Sequence, residues 1–521
     1  MALPAPRSQP ATILRGPGRA ALWLAAGLVA VALGVVAAQP LPQGGSGPAA
    51  VLRSVASIPP AALVAALAGL AMLPAALRRW ELAAGALLVW LVAEDLVRKL
   101  AGNDIRVYFV KDLFFAVAVM ALVRSGRIGA EFRTAVGRAG SVLAALIAWA
   151  VALSVPLAIE DWRIPLVGLR LDFAYIPLVV VGWRIASERE SLVRWLVGLS
   201  VLGGLGSAVG IAQAAIGPSF LAPAGTVRGL PHLVLVRGLP QSGPVYRPTG
   251  TFVDPGRYAS FVLVALAVSL AALLVTAGRR RLLVGVSAAS AAAGVWLSGG
   301  RAGLLAGLGL VAAAALATPW ALRRARLGRA VGATLLAAAA VAVVALASPR
   351  LFESRLHWYA QTLNPRSSNN EWSFRWNSYW GATVDGVARG GLLGQGTGRE
   401  SLGKQYLTED PTALSDPLYG YQTEGGYAAV AIEWGIVGLA LWIAWSAAWL
   451  GRLHRRLAAA RGDAVAAAGA VVLAWVWFFL VIGFFGGLQA FQNFVANAWF
   501  WLFSGLVFAL PKAAAGTEAA G

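Results

Sequence analysis

Cysteine is absent from this chain of 521 residues, so disulfides, thiolate nucleophiles and thiolate metal sites are excluded. Histidine is scarce: His232, His357 and His454 are the three imidazoles, too scattered to suggest a metal cluster. No metal or other cofactor is therefore expected. Charge is thin at 13% of residues, against 59% hydrophobic. Apolar runs recur from end to end, and about 20 such residues make one bilayer-spanning helix. One long polar interruption, Ser348 to Thr423, breaks the pattern. Backbone groups cannot pair with water inside a bilayer, so helices are the natural way across it. The composition predicts an all-α, polytopic transmembrane bundle embedded in the lipid bilayer and excludes a soluble multidomain protein.

The apolar runs place spans near 20–38, 61–77, 81–97, 109–123, 140–159, 171–186, 191–215, 256–277, 282–298, 302–318, 330–347, 425–450, 465–486 and 490–510. The expectation is thus 12–14 spans. A net charge of +20 raises nucleic acid as a partner, but the distribution of charge argues against it. Every second connection is basic: Arg7/Arg15/Arg19, Arg78/Arg79, Arg124 to Arg138, Arg184 to Arg194, Arg279 to Arg281, Arg323 to Arg329 and Arg452 to Arg461. Short cytoplasmic loops carry this excess, so the parity predicts both termini in the cytoplasm. The basicity reads as topology. Val36-Ala37-Ala38 before Gln39 would pass as a signal-peptidase site, but the apolar stretch before it exceeds a signal-peptide core of about 7–15 residues. An uncleaved first span is the expectation.

The opposite set of connections holds the two longest loops, 217–255 and 348–423. The chain divides into N-terminal spans (1–160), core spans with outer arginines (161–347), a large extracytoplasmic loop with short amphipathic helices (348–424) and C-terminal spans (425–521). Most outer arginines read as solvated or paired. Arg170, Arg247 and Arg301 stand out because each abuts a span. Ser298-Gly299-Gly300-Arg301-Ala302-Gly303 is a small-residue turn opening a helix. Converging backbone N–H groups and a guanidinium fork there would suit phosphate, while close helix packing is the plainer use of the small residues. Asp254 is expected to cap the helix that follows Pro255. Arg170 reads equally as a snorkelling side chain.

Within the long loop, Arg375, Trp376, Tyr379 and Trp380 recur at helical spacing, predicting an amphipathic helix on the membrane surface that is either an anchor or the floor of a sugar-bearing pocket. Glu424 precedes the next span on a side shared with Tyr427. It suits a weak general base or simple helix-end stabilisation. Glu433 lies about 13 Å further along, on the opposite helix face, so the two acids are no dyad. It reads as an internal partner, although an intramembrane acid is a functional candidate by default.

The order of these segments resembles the O-antigen ligase/O-antigen polymerase superfamily of bacterial integral-membrane glycosyltransferases. The matching stretches are Gly168-Leu169-Arg170, Arg247-Pro248-Thr249-Gly250-Thr251-Phe252 with Asp254-Pro255, Ser298 to Gly303, Arg375-Trp376, Gly394-Gln395-Gly396-Thr397-Gly398 and Glu433-Trp434-Gly435-Ile436-Val437-Gly438. They cover residues 165–450. The resemblance implies a metal-independent enzyme of the bacterial inner membrane with an extracytoplasmic active site, acting on polyprenyl-diphosphate-linked oligosaccharide in cell-envelope polysaccharide or lipopolysaccharide synthesis. With it, Glu424 and Arg375 become the catalytic candidates and Arg170, Arg247 and Arg301 the diphosphate-binding ones, while Trp376, Trp380, Tyr427 and His357 are candidate substrate contacts read from the loop's own residues. A chain-length regulator or a flippase would be a candidate partner. The ligases resemble one another in a His upstream of the Glu-x-Gly-x-x-Gly acid, at the position Glu424 holds here. That departure favours a repeat-unit polymerase over a ligase and leaves His357 as a substitute base. The rival of another class is a transporter or lipid flippase, whose mark would be internal repeats and mid-span polar groups.

Overall fold

The structure is a computed structural model that describes residues 74, 77–100, 105–126, 128–217, 220–221, 236–237, 245–321, 349–364, 366, 373, 376–407, 418, 420, 423, 425–460, 464–486, 491 and 493–515. The expected spans near 20–38 and 330–347, nearly all of 61–77, the signal-peptidase site, and both Arg375 and Glu424 lie outside the described residues.

The described chain is almost entirely helical. In order come α1 (Trp80–Leu100), α2 (Val110–Arg124), α3 (Ile128–Val136), α4 (Ala139–Ala152), α5 (Ser154–Asp161), α6 (Arg163–Phe173), α7 (Leu178–Ile185) and α8 (Arg189–Ile216). Then follow α9 (Pro255–Val275), α10 (Gly278–Leu297), α11 (Arg301–Ala321), α12 (Pro349–Leu363), α13 (Gly381–Gly390), α14 (Gly426–Ala459), α15 (Ala464–Trp477) and α16 (Phe494–Ala515). Among the described residues the only strands are Val236–Arg237 and Val245–Tyr246, an antiparallel pair with Val236 opposite Tyr246.

Among the described residues, six helical stretches are long and apolar enough to cross a membrane: Ala139–Asp161, Arg163–Ile185, Arg189–Ile216, Pro255–Val275, Gly426–Ala459 and Ala464–Gly483. Arg301–Ala317 and Phe494–Leu510 are shorter apolar helices. Charge keeps two expected spans out of that set: the arginines that open α10, and Glu94, Asp95, Arg98 and Lys99 in α1. One boundary differs from expectation. The span predicted from residue 171 already begins at Arg163, because Pro165 falls in the first turn, where a missing N–H costs nothing. Arg170 therefore sits inside a helix and not on a connection.

The bundle has two distinguishable ends. At one, short connections interlock: Arg184 pairs with Glu131 at 2.8 Å and donates to the Gly126 carbonyl, while Arg452 and Arg456 donate to the Thr134 carbonyl. At the other, the segment before α9 is gripped from below, Lys99 reaching Thr249 and Asp95 reaching Val253 and Arg257, while Arg170 of α6 pairs with Asp112 of α2. Between the ends the core is aromatic. Trp442, Trp445 and Trp449 of α14 form a row whose last two rings pack against Phe500 and Trp501 of α16, and Trp449 Nε1 donates to Ser504 at 2.9 Å. Elsewhere small residues bring helices close: a Cβ on Gly203 of α8 would lie 2.7 Å from that of Ala265 in α9.

Helix α14 is broken at Gly435, where φ is 66° and ψ is −169°. The glycine-rich segment 391–396 fills the gap. Gln395 N donates to Ile432 O at 2.8 Å and Gly396 N to Glu433 O at 3.0 Å, while Ile436 N donates to Gly391 O at 3.0 Å. Thr397 completes the join, donating from Oγ1 to Ala150 O and accepting from Trp434 Nε1. Backbone groups orphaned by the break are thus paired with the loop, as a buried helix interruption requires.

Candidate functional site

Three arginines surround the turn between α10 and α11. Ser298 closes α10, its hydroxyl donating to Val295 O and accepting from Gly300 N. Gly299 has φ 67° and must be small, since a Cβ there would come 2.9 Å from Cγ of Arg247. Arg247 Nε donates to Ser298 O at 3.3 Å. Arg355 of α12 donates to Tyr246 O at 2.6 Å and to Leu297 O at 3.3 Å. Trp358, also of α12, donates to Gly299 O at 3.2 Å, and the Arg301 guanidinium lies 4.9 Å over its ring. The carbonyls that end α10 carry partial negative charge, which suits them to hold cations. The turn therefore works here through its carbonyls, as a seat for guanidinium groups, where the sequence pointed to its N–H groups.

Burial shapes this corner electrostatically. It pushes the Tyr359 hydroxyl up to about 12 against the opposing pull of Arg355 and Arg247, so the phenol stays neutral and donates to Trp296 O at 2.7 Å. Burial also pushes Tyr246 up to about 12. The Arg355 guanidinium is lowered by burial, with Tyr359 acting in the other direction.

Arg247 is held in place by the segment that follows it. Gln213 Oε1 accepts from Thr249 N and Gly250 N, both at 2.8 Å. Lys99 Nζ donates to Thr249 Oγ1 at 2.7 Å and to Gly250 O at 2.8 Å. Asp95 accepts from Val253 N and pairs with Arg257 at 3.0 Å. Asp254 caps α9 as expected, accepting from Arg257 N at 3.0 Å with Pro255 at the first helical position. A loop rich in Gly and Pro is thereby fixed by side chains buried in α1 and α8. No local motif signals Lys99 or Gln213, so neither stands out in the sequence.

Arg170 is not part of the turn cluster. It forks onto both oxygens of Asp112, at 2.7 to 3.2 Å, and faces the rings of Tyr108 and Phe109. Beside it lie Lys111, paired with Glu94 at 3.1 Å with both side chains wholly buried, and Arg257, 5.0 Å over Phe494. The sequence-predicted diphosphate set thus splits: Arg247 and Arg301 share one seat, while Arg170 belongs to a neighbouring charge network at the same end of the bundle.

The predicted aromatic contacts do converge. Trp376–Trp380 forms one π-helical turn running into α13, with the Trp376 and Trp380 rings stacked 5.7 Å apart and both half-exposed. Trp376, Tyr379 and Tyr427 each lie 6.3 to 6.4 Å from Phe485. Glu424 directly precedes Gly425, the N-cap of α14, beside this group in sequence. His357, by contrast, is exposed and about 200° round α12 from Arg355 at about 100° per residue. It points away from the arginine seat, and its sequence adjacency to Trp358 is misleading.

Glu433 is buried and accepts from Glu400 N at 2.7 Å, consistent with the internal-partner reading. Glu400 in turn accepts from Thr423 N at 3.0 Å, tying the last stretch before Glu424 to the glycine-rich join. Glu433 and Asp172 also line a cavity of about 20 Å³ beside Gly426, room for about one water. Nothing in the sequence around Asp172 sets it apart from its neighbour Arg170. A far larger cleft, near 1310 Å³, opens at the opposite end of the bundle among Arg78, Arg79 and Arg194. Compared with known proteins, the chain matches no family model and no curated sequence.

Proposed function

We propose that the protein is a membrane glycosyltransferase that polymerises lipid-diphosphate-linked oligosaccharide repeat units at the long-loop end of its bundle, on the extracytoplasmic side. The observation that carries this reading is the seating of Arg247, Arg301 and Arg355 around one turn. Guanidinium forks match phosphate oxygens, and several together suit a diphosphate whose charge grows as the sugar leaves. In the proposed step the acceptor hydroxyl gives its proton to Glu424 as its oxygen bonds to the anomeric carbon. The bond from that carbon to the diphosphate oxygen breaks, and the electron pair stays on the diphosphate, beside the arginines. Trp376, Trp380 and Tyr427 supply ring faces for sugars, and Arg375 belongs to the same segment. Arg170 joins the diphosphate set only by exchanging Asp112 for phosphate, which makes it the weakest member.

Incubating purified protein with a lipid-diphosphate oligosaccharide should give a ladder of longer lipid-linked products. Arg247→Ala and Arg301→Ala are each expected to lower the rate by about 10²-fold or more while the protein still folds. Full activity in both would remove the diphosphate assignment. Transfer only to an added foreign acceptor would mark the alternative, an O-antigen ligase.

A transporter or flippase is supported by one observation, the buried charges Glu94, Asp95, Arg98, Lys99 and Lys111 in α1 and α2. Their contacts run to the loop end, to Thr249, Gly250 and Tyr108, which fits a clamp better than a path. Movement of intact lipid-linked substrate across vesicles without product growth would favour that reading.

A further inference from the structure

Helices α1 and α8 meet near Val92 and Gly206, where a Cβ on the glycine would lie 3.2 Å from the valine methyl. Toward the short-loop end the two separate, and a cleft near 1310 Å³ opens between them. Its walls are Leu82, Leu88 and Val89 on one side and Leu199 and Leu202 on the other. Its floor is low: among the described residues, a Cβ on Gly198 would meet nothing within 4 Å, and one on Gly85 would touch only the Trp195 ring, at 3.7 Å. Leu82 and Val89 are 43% and 53% exposed into it and the surrounding lipid zone. From Leu82 to the closure at Val92 the slot is about 15 Å long at about 1.5 Å per residue, half of a hydrocarbon core of about 30 Å.

The mouth of the slot is charged. Arg78, Arg79 and Arg194 are exposed there, with Glu81 and Glu188, while Arg184 and Glu131 at its edge neutralise each other at 2.8 Å. Three arginines against two glutamates leave the mouth with a single net positive charge. A cationic mouth above an apolar slot one leaflet deep matches one class of molecule. We propose that this cleft binds a single anionic glycerophospholipid, its phosphodiester at Arg78, Arg79 and Arg194 and one acyl chain along Gly85 and Gly198. Basic pockets between helices at a membrane surface recognise anionic headgroups in this way. The site is separate from the arginine seat at the other end, so it stands or falls independently of the proposed catalysis.

The test is native mass spectrometry of the full-length protein in detergent, titrated with phosphatidylglycerol or with phosphatidylcholine of the same chains. The wild type should retain one phosphatidylglycerol in clear preference. Arg79→Gln with Arg194→Gln should cut that retention by about thirtyfold. Gly198→Phe fills the slot where space is open, so it should expel the lipid with the arginines intact. Equal retention of the two lipids by the wild type overturns the proposal, as does unchanged retention in both variants. A photo-crosslinker at Val89 provides a separate readout. An adduct with phosphatidylglycerol supports the site, and an adduct with the chain's own residues 1–73 shows that the protein fills the slot itself and overturns it.

Discussion

Lys111 and Glu94 face each other at 3.1 Å with no exposure to solvent, and the Lys111 ammonium also sits over the Tyr108 ring. A lone charge left in such a place is costly, whereas removing both partners together is often close to neutral. Lys111→Met should therefore destabilise by about 3–5 kcal/mol. Lys111→Met combined with Glu94→Met should recover most of that loss. Thermal unfolding in detergent reads both, and equal losses in the single and double variants would show that the ion pair is not what matters. Residues of this kind are hidden in the sequence. Glu94, Asp95, Arg98 and Lys99 look like the polar exit of a span, because nothing local says that they fold inward under a loop some 150 residues away. Arg247 and Arg301 are legible because each sits in a shaped segment against a helix end. Arg355 is not, since its role depends on the tertiary position of α12. Arg170 is visible as unusual, but its partner Asp112 lies 58 residues earlier and shares no motif with it.

Among elements, the join between the glycine-rich segment and α14 makes the sharpest demand on sequence. Gly394 has φ 90°, and a Cβ there would run into the Glu433 carbonyl. Gly391 has φ 58°, but a Cβ there would meet nothing within 4 Å among the described residues. Gly391→Ala should cost only backbone strain, about 1–3 kcal/mol. Gly394→Ala adds a collision with a backbone that cannot move without opening α14, and should prevent accumulation of folded protein. Detergent-extracted yield and melting temperature separate the two, and equal behaviour would refute the packing argument. The apolar runs make most helices legible to within a few residues. The interruption at Gly435 is not, although Gly435 and Gly438 are in plain view, because the loop that repairs it comes from about 40 residues upstream. A helical turn stands at Trp376–Trp380, where the sequence spacing is helical.

For the molecule as a whole, the two ends differ in loop length and in the company their arginines keep. The alternating basic connections predict that these ends face opposite sides of a membrane. The absence of cysteine makes the test clean, since any thiol introduced is the only one. His357→Cys and Arg194→Cys place exposed thiols at the long-loop and short-loop ends. A membrane-impermeant maleimide added to intact cells should label the first, and should label the second only after permeabilisation. Labelling of both from outside would dismantle the sidedness on which the proposed chemistry depends.

The break in α14 also bears on how the chain enters its membrane. Gly426–Trp434 is nine residues, about 14 Å of helix, while the stretch after Gly435 runs to Ala459, about 36 Å. Only the later stretch is long enough to be threaded across as a unit during synthesis. The earlier one is too short for that and should settle only once the glycine-rich segment that pairs with its broken end is in place.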